Sequence, residues 1–539
     1  MAAFADDGAE HLVRGQEGTL VEYSTDVSQG KNSFSNVTTS PVMLNGNIYT
    51  VSGTKLVKVD PTNGKILVTS RETVPNRYSY YITISENKIL VQCGGTIKAF
   101  DESLNCLWTS KGVPGEQGLS RILYSGGYVY GATVSPTKNN TPAYMYCVDS
   151  SNGKLCWRHK FESDGFGGEY GAWRGSYWGG IVAAGDYIVF LGEGGRAYSF
   201  RAGEKTDLQI NCHEVTEPSD EDLDELDSID SNGQNEEEPE SLYEGVEEDD
   251  ENLSTEEESS EDDLEAAEKN VDDPYDIEPV DKLDLGEELS GGRNYSCRSG
   301  AVYSEGKIYF TANDYASSGY PGSLFSVGFN EKDGTFGNLD SKSLGNTSVA
   351  TPAIYGNRIY AATNGTIVVL NKVDLSQFYK IVANKTKIYD VALTEVDGQI
   401  YGYATYYDKP GGIIVFRDKE GQARANSFDL GNRIPKESSQ YCASQALIGS
   451  DGGVYFTNDS GRLMKLLQHN LKHVKNSAGY LKNGSEYDKC MECGQQFNVK
   501  KIAGYGSPGL KSFKVSKGSK CVTARWSKLS KSNQMKTSG

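Results

Sequence analysis

No stretch of the sequence approaches the roughly 20 consecutive apolar residues that a membrane-crossing helix requires, so no transmembrane segment is expected. Histidine is scarce: the five residues lie at 11, 159, 213, 469 and 473, and none belongs to a nucleophile arrangement such as Gly-x-Ser-x-Gly. Proline numbers only 15 against 61 glycines, and with 37% hydrophobic residues this excludes both a collagen-like chain and one that is disordered throughout. The ten cysteines, at 93, 106, 147, 156, 212, 297, 442, 490, 493 and 521, include no two that are adjacent. They fit an oxidising compartment without requiring one. Ala3-Phe4-Ala5 has the small-x-small spacing that signal peptidases accept, but no charged and apolar regions precede it. The opening residues therefore read either as the remnant of a removed signal peptide, which implies an extracellular or cell-surface protein, or as an ordinary small-residue terminus.

The chain of 539 residues has room for one large domain with appendages. Its formal charge of −21 is concentrated in one place. Residues 214–288 hold 35 Asp or Glu against Lys269 and Lys282, a local net of −33. From Asn470 onward 14 Lys or Arg face three acids, so the remaining body is almost neutral. The acidic block has few aromatics and reads as a disordered insertion, a solvated spacer rather than a set of positioned carboxylates.

Eight units repeat a pattern of Gly or Asn turn, short β-branched and aromatic run, polar break, and second apolar run. Taking Ile48, Ile89, Val129, Ile188, Ile308, Ile359, Ile400 and Val454 as anchors, most spacings fall between 40 and 59 residues. The one interval of 120 shortens to 45 without the acidic block. Short strands at this period predict an all-β propeller. The alternating segment Gly18–Val27 belongs to no unit and is expected to complete the last one, which lacks an outer strand.

Two units end in Asp60-Pro-Thr-Asn-Gly-Lys65 and Asp149-Ser-Ser-Asn-Gly-Lys154, the latter leading to Trp157. Here the sequence resembles the PQQ-like (quinoprotein-type) β-propeller repeat family over about 40–470, apart from the acidic block. The resemblance implies eight four-stranded antiparallel blades. In that family the quinone is usually gripped between a Trp and a disulfide of adjacent cysteines, beside a calcium held by Glu, Asn and Asp. With no adjacent cysteines here, PQQ is not expected as a cofactor and the protein is read as non-catalytic.

His469, His473, Cys490 and Cys493 give His-x3-His and Cys-x2-Cys at a separation compatible with a structural zinc site, and the two cysteines alternatively with a disulfide. This stretch, 469–503, resembles small His and Cys-x-x-Cys-Gly modules of gut-bacterial surface proteins. Residues 504–539 resemble the start of a fibronectin type III-like domain, with Trp526 at the core aromatic position. Cys147 and Cys156, on opposite arms of one hairpin, are placed either for a cross-strand bridge or as buried thiols.

Loops leading into inner strands of a propeller line one mouth of its channel, and several here are rich in aromatics and arginine. Arg77, Tyr78, Tyr80, Arg121, Trp173, Arg174, Tyr177, Trp178, Tyr295, Arg298 and Tyr441 are the candidate ligand-binding residues, being of the types that anchor interfaces. The expected organisation is a leader at 1–9, propeller halves at 10–213 and 289–468 around the insertion at 214–288, then the two C-terminal segments. The expected role is binding of a protein or glycan by a monomeric propeller within a larger surface protein. Nucleic acid is not an expected partner, and a PQQ-dependent dehydrogenase or a plain structural spacer is the alternative.

Overall fold

A computed structural model describes residues 9–15, 18–28, 39–74, 82–115, 120–138, 141–162, 172–203, 273–289, 294–435, 441–479, 482–491, 494–504, 510–514, 521–526 and 536–538. Each repeat anchor lies on the second strand of an antiparallel meander sheet. The first sheet runs Val42–Leu44, Asn47–Ser52, Lys55–Val59 and Ile66–Thr69, and the second begins at Ile82–Ser85. The third begins at Leu123–Ser125, the fourth at Ile181–Ala184, the fifth at Ala301–Ser304, the sixth at Ala353–Tyr355 and the seventh at Ala392–Val396. The eighth joins Leu447–Ile448, Val454–Asn458 and Arg462–Gln468 to the N-terminal strand Thr19–Asp26 as its outer member.

Middle strands such as Tyr187–Gly192 and Val454–Asn458 are buried along their whole length, so the sheets carry apolar side chains on both faces. Each of eight core clusters fills one junction between successive sheets. Tyr49, Val91 and Phe100 join the first sheet to the second, and Trp157, Phe190 and Phe200 join the third to the fourth. Val27, Ile48, Val57, Val59, Tyr455 and Leu463 join the eighth back to the first. The succession closes on itself, which makes the fold a β-propeller.

The hairpin motif has a specific part in this. In Asp60–Lys65 the Asp60 carboxylate accepts from Thr62 N at 2.8 Å and from Asn63 Nδ2 at 2.8 Å, and Gly64 takes φ +73°. A Cβ on Gly64 would fall 2.5 Å from the Tyr23 ring on the outer strand of the eighth sheet. Gly153 sits likewise on Trp108 of the second sheet, where a Cβ would fall 2.6 Å from the ring. The glycine thus serves both the turn and the seating of one sheet on the previous one.

A buried hydroxyl recurs where six of the leading segments meet their second strands. Ser120 Oγ accepts from Ala132 N and donates to Ala132 O, both at 2.9 Å. Ser299 does the same with Thr311 at 2.9 and 3.0 Å, and Ser444 with Thr457 at 2.8 and 3.0 Å. Thr39 accepts from Val51 N, and Ser176 and Ser348 donate to Leu191 O and Ala362 O.

The reading of 214–288 as disordered throughout is corrected at its C-terminal end. Asp281–Asp284 is the outer strand of the fourth sheet, paired with Arg196–Arg201 and followed by a single helical turn, Leu285–Glu288. Before it, Asp273 binds Arg158 at 2.7 Å, Asp276 meets His159 at 3.2 Å, and Tyr275 packs against the apolar core between the second and third sheets. Ile277, Leu283 and Leu285 are buried. The block's overall charge concealed these spaced apolar residues, while Arg158 and Arg196 supply counter-charges for Asp273 and Asp284. Residues 204–272 lie outside the described residues.

Past the eighth sheet, Leu471–Asn476, Gly484–Cys490 and Gln496–Ile502 form a small three-stranded sheet, and Leu510–Lys514, Cys521–Trp526 and Lys536–Ser538 form another. No helix among the described residues is long and apolar enough to cross a membrane.

Replacing 214–272 with a Gly/Ser linker of about 15 residues should leave the calorimetric Tm within ~3 °C, since loop length enters stability only logarithmically. Carrying the replacement through Glu288 strips the fourth sheet of its outer strand and should lower Tm by more than ~10 °C, because it removes several buried apolar side chains at once.

Candidate functional site

In an antiparallel meander, the segment leading into the first strand and the turn joining the second and third strands open on the same side of the ring. All eight described candidate residues of the channel mouth belong to this upper side; Arg77, Tyr78 and Tyr80 lie outside the described residues. The eight do not form one ligand-facing patch.

Arg298 and Glu193 are fully buried and paired in bidentate fashion, Nε to Oε1 and Nη2 to Oε2, both at 2.9 Å. Ser296 Oγ donates to Glu193 Oε2 at 2.5 Å. The guanidinium lies between two rings, its Cζ 5.0 Å from the Tyr177 centroid and 5.1 Å from that of Tyr315. Burial acts to lower the Arg298 pKa, but Glu193 and the flanking tyrosines outweigh it and hold it above the ordinary value. Arg298 is therefore a positioning residue that fixes two aromatic side chains. Tyr295 is also buried, stacked edge-on to Phe325.

Outside this buried pair the aromatic side chains are half-exposed. Tyr177 lies 4.9 Å from both Trp173 and Trp178, and Tyr315 lies 4.9 Å from Tyr320. Trp173–Gly175 pairs with Val134–Pro136 in a two-stranded sheet, and Arg174 donates to Thr141 O and Thr137 O. Trp178 holds φ +62°, a left-handed conformation that costs a bulky residue energy. Its signal in the sequence was only the aromatic density of 173–178.

Arg121 takes a different part. Its Nη1 binds Asp390, whose carboxylate also accepts from Thr351 N at 2.7 Å and Thr351 Oγ1 at 3.1 Å. Arg121 leads into the third sheet and Asp390 into the seventh, so this pair joins two sheets that are not neighbours across the upper side of the propeller.

A second aromatic group stands at the seventh and eighth sheets. Tyr407 and Tyr441 stack with centroids 4.2 Å apart at 15°, and Tyr389 meets Tyr407 edge-on at 6.3 Å. Tyr441 O accepts from Asp459 N at 2.9 Å. Asp459, missed in the sequence, is 5% exposed, and no side chain among the described residues bonds its carboxylate. Burial pushes its pKa up to about 7. The buried Cys442 thiol beside it is raised too, by burial and then by Asp459.

Of the C-terminal candidates His469 and Cys490 adjoin, whereas His473 stands apart. His469 Nε2 meets Glu22 Oε1 at 2.5 Å; burial lowers its pKa, but Glu22 and the Cys490 sulfur more than offset this and raise it. His473 faces outward onto Asp488 at 2.8 Å and Glu486 at 3.5 Å. Cys493 lies outside the described residues, and among these no group of three or more His, Cys, Asp or Glu is disposed to hold a metal ion. Cys147 and Cys156 are thiols, donating to Gly203 O at 3.9 Å and Lys154 O at 3.6 Å.

Neither a protein-family model nor a curated protein matches the chain. Among solved structures, the computationally designed protein Ika8 aligns at a TM-score of 0.49 and 9% identity, over 82% of this chain and 99% of its own. BamB from Moraxella catarrhalis aligns at 0.45 and 10% identity, over 84% and 98%. The C-terminal WD40 domain of Sif2 aligns at 0.44 and 9% identity, over 84% and 99%.

Arg298→Met should cost roughly 3–5 kcal/mol by stranding the Glu193 charge in the interior, and adding Glu193→Gln should restore part of that, read by denaturant unfolding. For Asp459 the folded pKa lies above the unfolded one, so its contribution to stability is full below the unfolded value and is lost as pH rises through about 7. Asp459→Asn should accordingly match the wild type near pH 4 and melt ~5 °C higher at pH 8; equal melting points at both pH values would falsify the assignment.

Proposed function

We propose that this chain is an eight-bladed propeller of PQQ-like type, secreted or displayed at the cell surface, that binds a protein or glycan through its upper side without catalysing a reaction. The observation that carries this reading is the set of half-exposed aromatic side chains held in place from beneath: Tyr177 and Tyr315 against Arg298, with Trp173, Trp178 and Tyr320 leaning on them. Rigid Tyr and Trp side chains provide contact area at small entropic cost, which suits them to recognition. The hairpins at Asp60–Lys65 and Asp149–Lys154 support the PQQ-like assignment, and the absence of adjacent cysteines supports a propeller that works without the quinone.

The test is a glycan array together with a defined panel of surface and secreted proteins, probed with wild type, Trp173→Ala and Tyr177→Ala. A ligand should appear and lose affinity at least ~10-fold in either variant, the scale of a truncated aromatic anchor. A ligand indifferent to both substitutions places recognition elsewhere. Robust dye-linked oxidation of alcohols or sugars after addition of PQQ and calcium overturns the non-catalytic reading.

A further inference from the structure

In several sheets the residue two beyond the backbone held by the buried hydroxyl, at or near the end of the second strand, reaches toward the next sheet. In the fourth sheet it is Glu193, which takes Ser296 and Arg298 from the segment leading into the fifth. In the fifth it is Asn313, which accepts from Ser348 N and donates to Ser348 O, both at 2.8 Å. In the sixth it is Asn364, which accepts from Lys387 N at 2.9 Å. In the eighth the same position is Asp459, two residues beyond Thr457. It makes no corresponding bond among the described residues.

Arg298 stands immediately before the hydroxyl residue Ser299. The sequence counterpart ahead of Thr39 is Thr38, which carries no charge. Asp459 is thus an acid at a position where this fold has already built an acid–guanidinium pair; among the described residues its carboxylate meets no cation, while Tyr441, whose carbonyl holds the Asp459 N–H, stacks on Tyr407, and Lys387 Nζ lies 5.5 Å from the Tyr407 ring centroid. A desolvated carboxylate is stabilised most by a cation brought into hydrogen-bond contact, and an adjoining ring face adds cation–π attraction. We propose that Asp459 anchors a guanidinium or ammonium group of a partner protein, beside the Tyr407–Tyr441 stack. This rests on the reading of the upper side as a binding surface and favours protein over glycan as its ligand.

The experiment measures Tm at pH 8 and constant ionic strength with n-butylguanidinium chloride or its neutral isostere n-butylurea, each at tens of millimolar, where weak binding to the native state alone registers. Wild type should melt ~2 °C or more higher with the cation than with the urea, and Asp459→Asn should show no such difference. Lys31→Gln, which removes a cation from the stretch ahead of Thr39 that lies outside the described residues, should behave as wild type. An equal response in wild type and Asp459→Asn overturns the proposal. So does a cation response that grows in Lys31→Gln, since the chain would then be supplying its own cation. The two readings fail separately. A ligand lost on Trp173→Ala but retained by Asp459→Asn removes the anchor and leaves the surface; a guanidinium effect confined to Asp459 with no ligand in the panel keeps the anchor and removes the surface.

Discussion

Burial of both faces of the propeller sheets is the constraint on which the rest of this structure depends. A sheet with one apolar face can pair with a single partner, whereas each sheet here needs two, and a finite row of such sheets always leaves two faces bare. Only a ring removes them. Six apolar side chains, Val27, Ile48, Val57, Val59, Tyr455 and Leu463, fill the junction between the eighth and first sheets. At about 1.5–3 kcal/mol each, leaving that junction open forfeits on the order of 10 kcal/mol. This is comparable to the whole net stability of an ordinary domain, about 5–15 kcal/mol. The strand Thr19–Asp26 is therefore integral to closure of the ring: it completes the last sheet, and its Tyr23 receives the Gly64 hairpin of the first.

Closure also frees the upper side. The buried hydroxyls at Thr39, Ser120, Ser176, Ser299, Ser348 and Ser444 fix the height at which their leading segments meet their sheets, and Arg121 with Asp390 ties two sheets that are not neighbours. With the backbone held by these contacts, the residues facing outward are released from packing duties. Trp173, Tyr177, Trp178, Tyr315 and Tyr320 can then stay half-exposed without loosening the fold.

The propeller was legible in the sequence because its signal is periodic: eight anchors recur, and all eight fall on second strands. The N-terminal strand was legible through alternation combined with a missing partner, and the Asp-x-x-x-Gly-Lys turns through their need for a positive φ. The end of the acidic block was not, since a window dominated by 35 carboxylates hides Tyr275, Ile277, Leu283 and Leu285, and the cations that compensate Asp273 and Asp284 come from Arg158 and Arg196, far away in sequence. The upper side was half legible. Residue type identified Trp173, Tyr177, Trp178 and Tyr441, but it could not separate exposed rings from Arg298 and Arg121, whose carboxylate partners lie about 105 and 269 residues away. The hydroxyls escaped notice because a single Ser before a strand carries no periodic signature of its own.

The comparison of Glu193 with Asp459 shows how one position acquires two meanings. A carboxylate removed from water is destabilised by several kcal/mol unless a cation or donors replace the lost solvent. Glu193 has both, from Arg298 and Ser296, and so becomes a rigid internal joint. Where only backbone groups need to be reached, the chain uses a neutral amide, as Asn313 and Asn364 do, and no charge is buried. An amide would serve Asp459 equally well if its task were to join sheets, and at neutral pH it would do so without the electrostatic penalty. The carboxylate becomes favourable only when a positive charge arrives, and among the described residues the neighbouring sheet brings none to this joint.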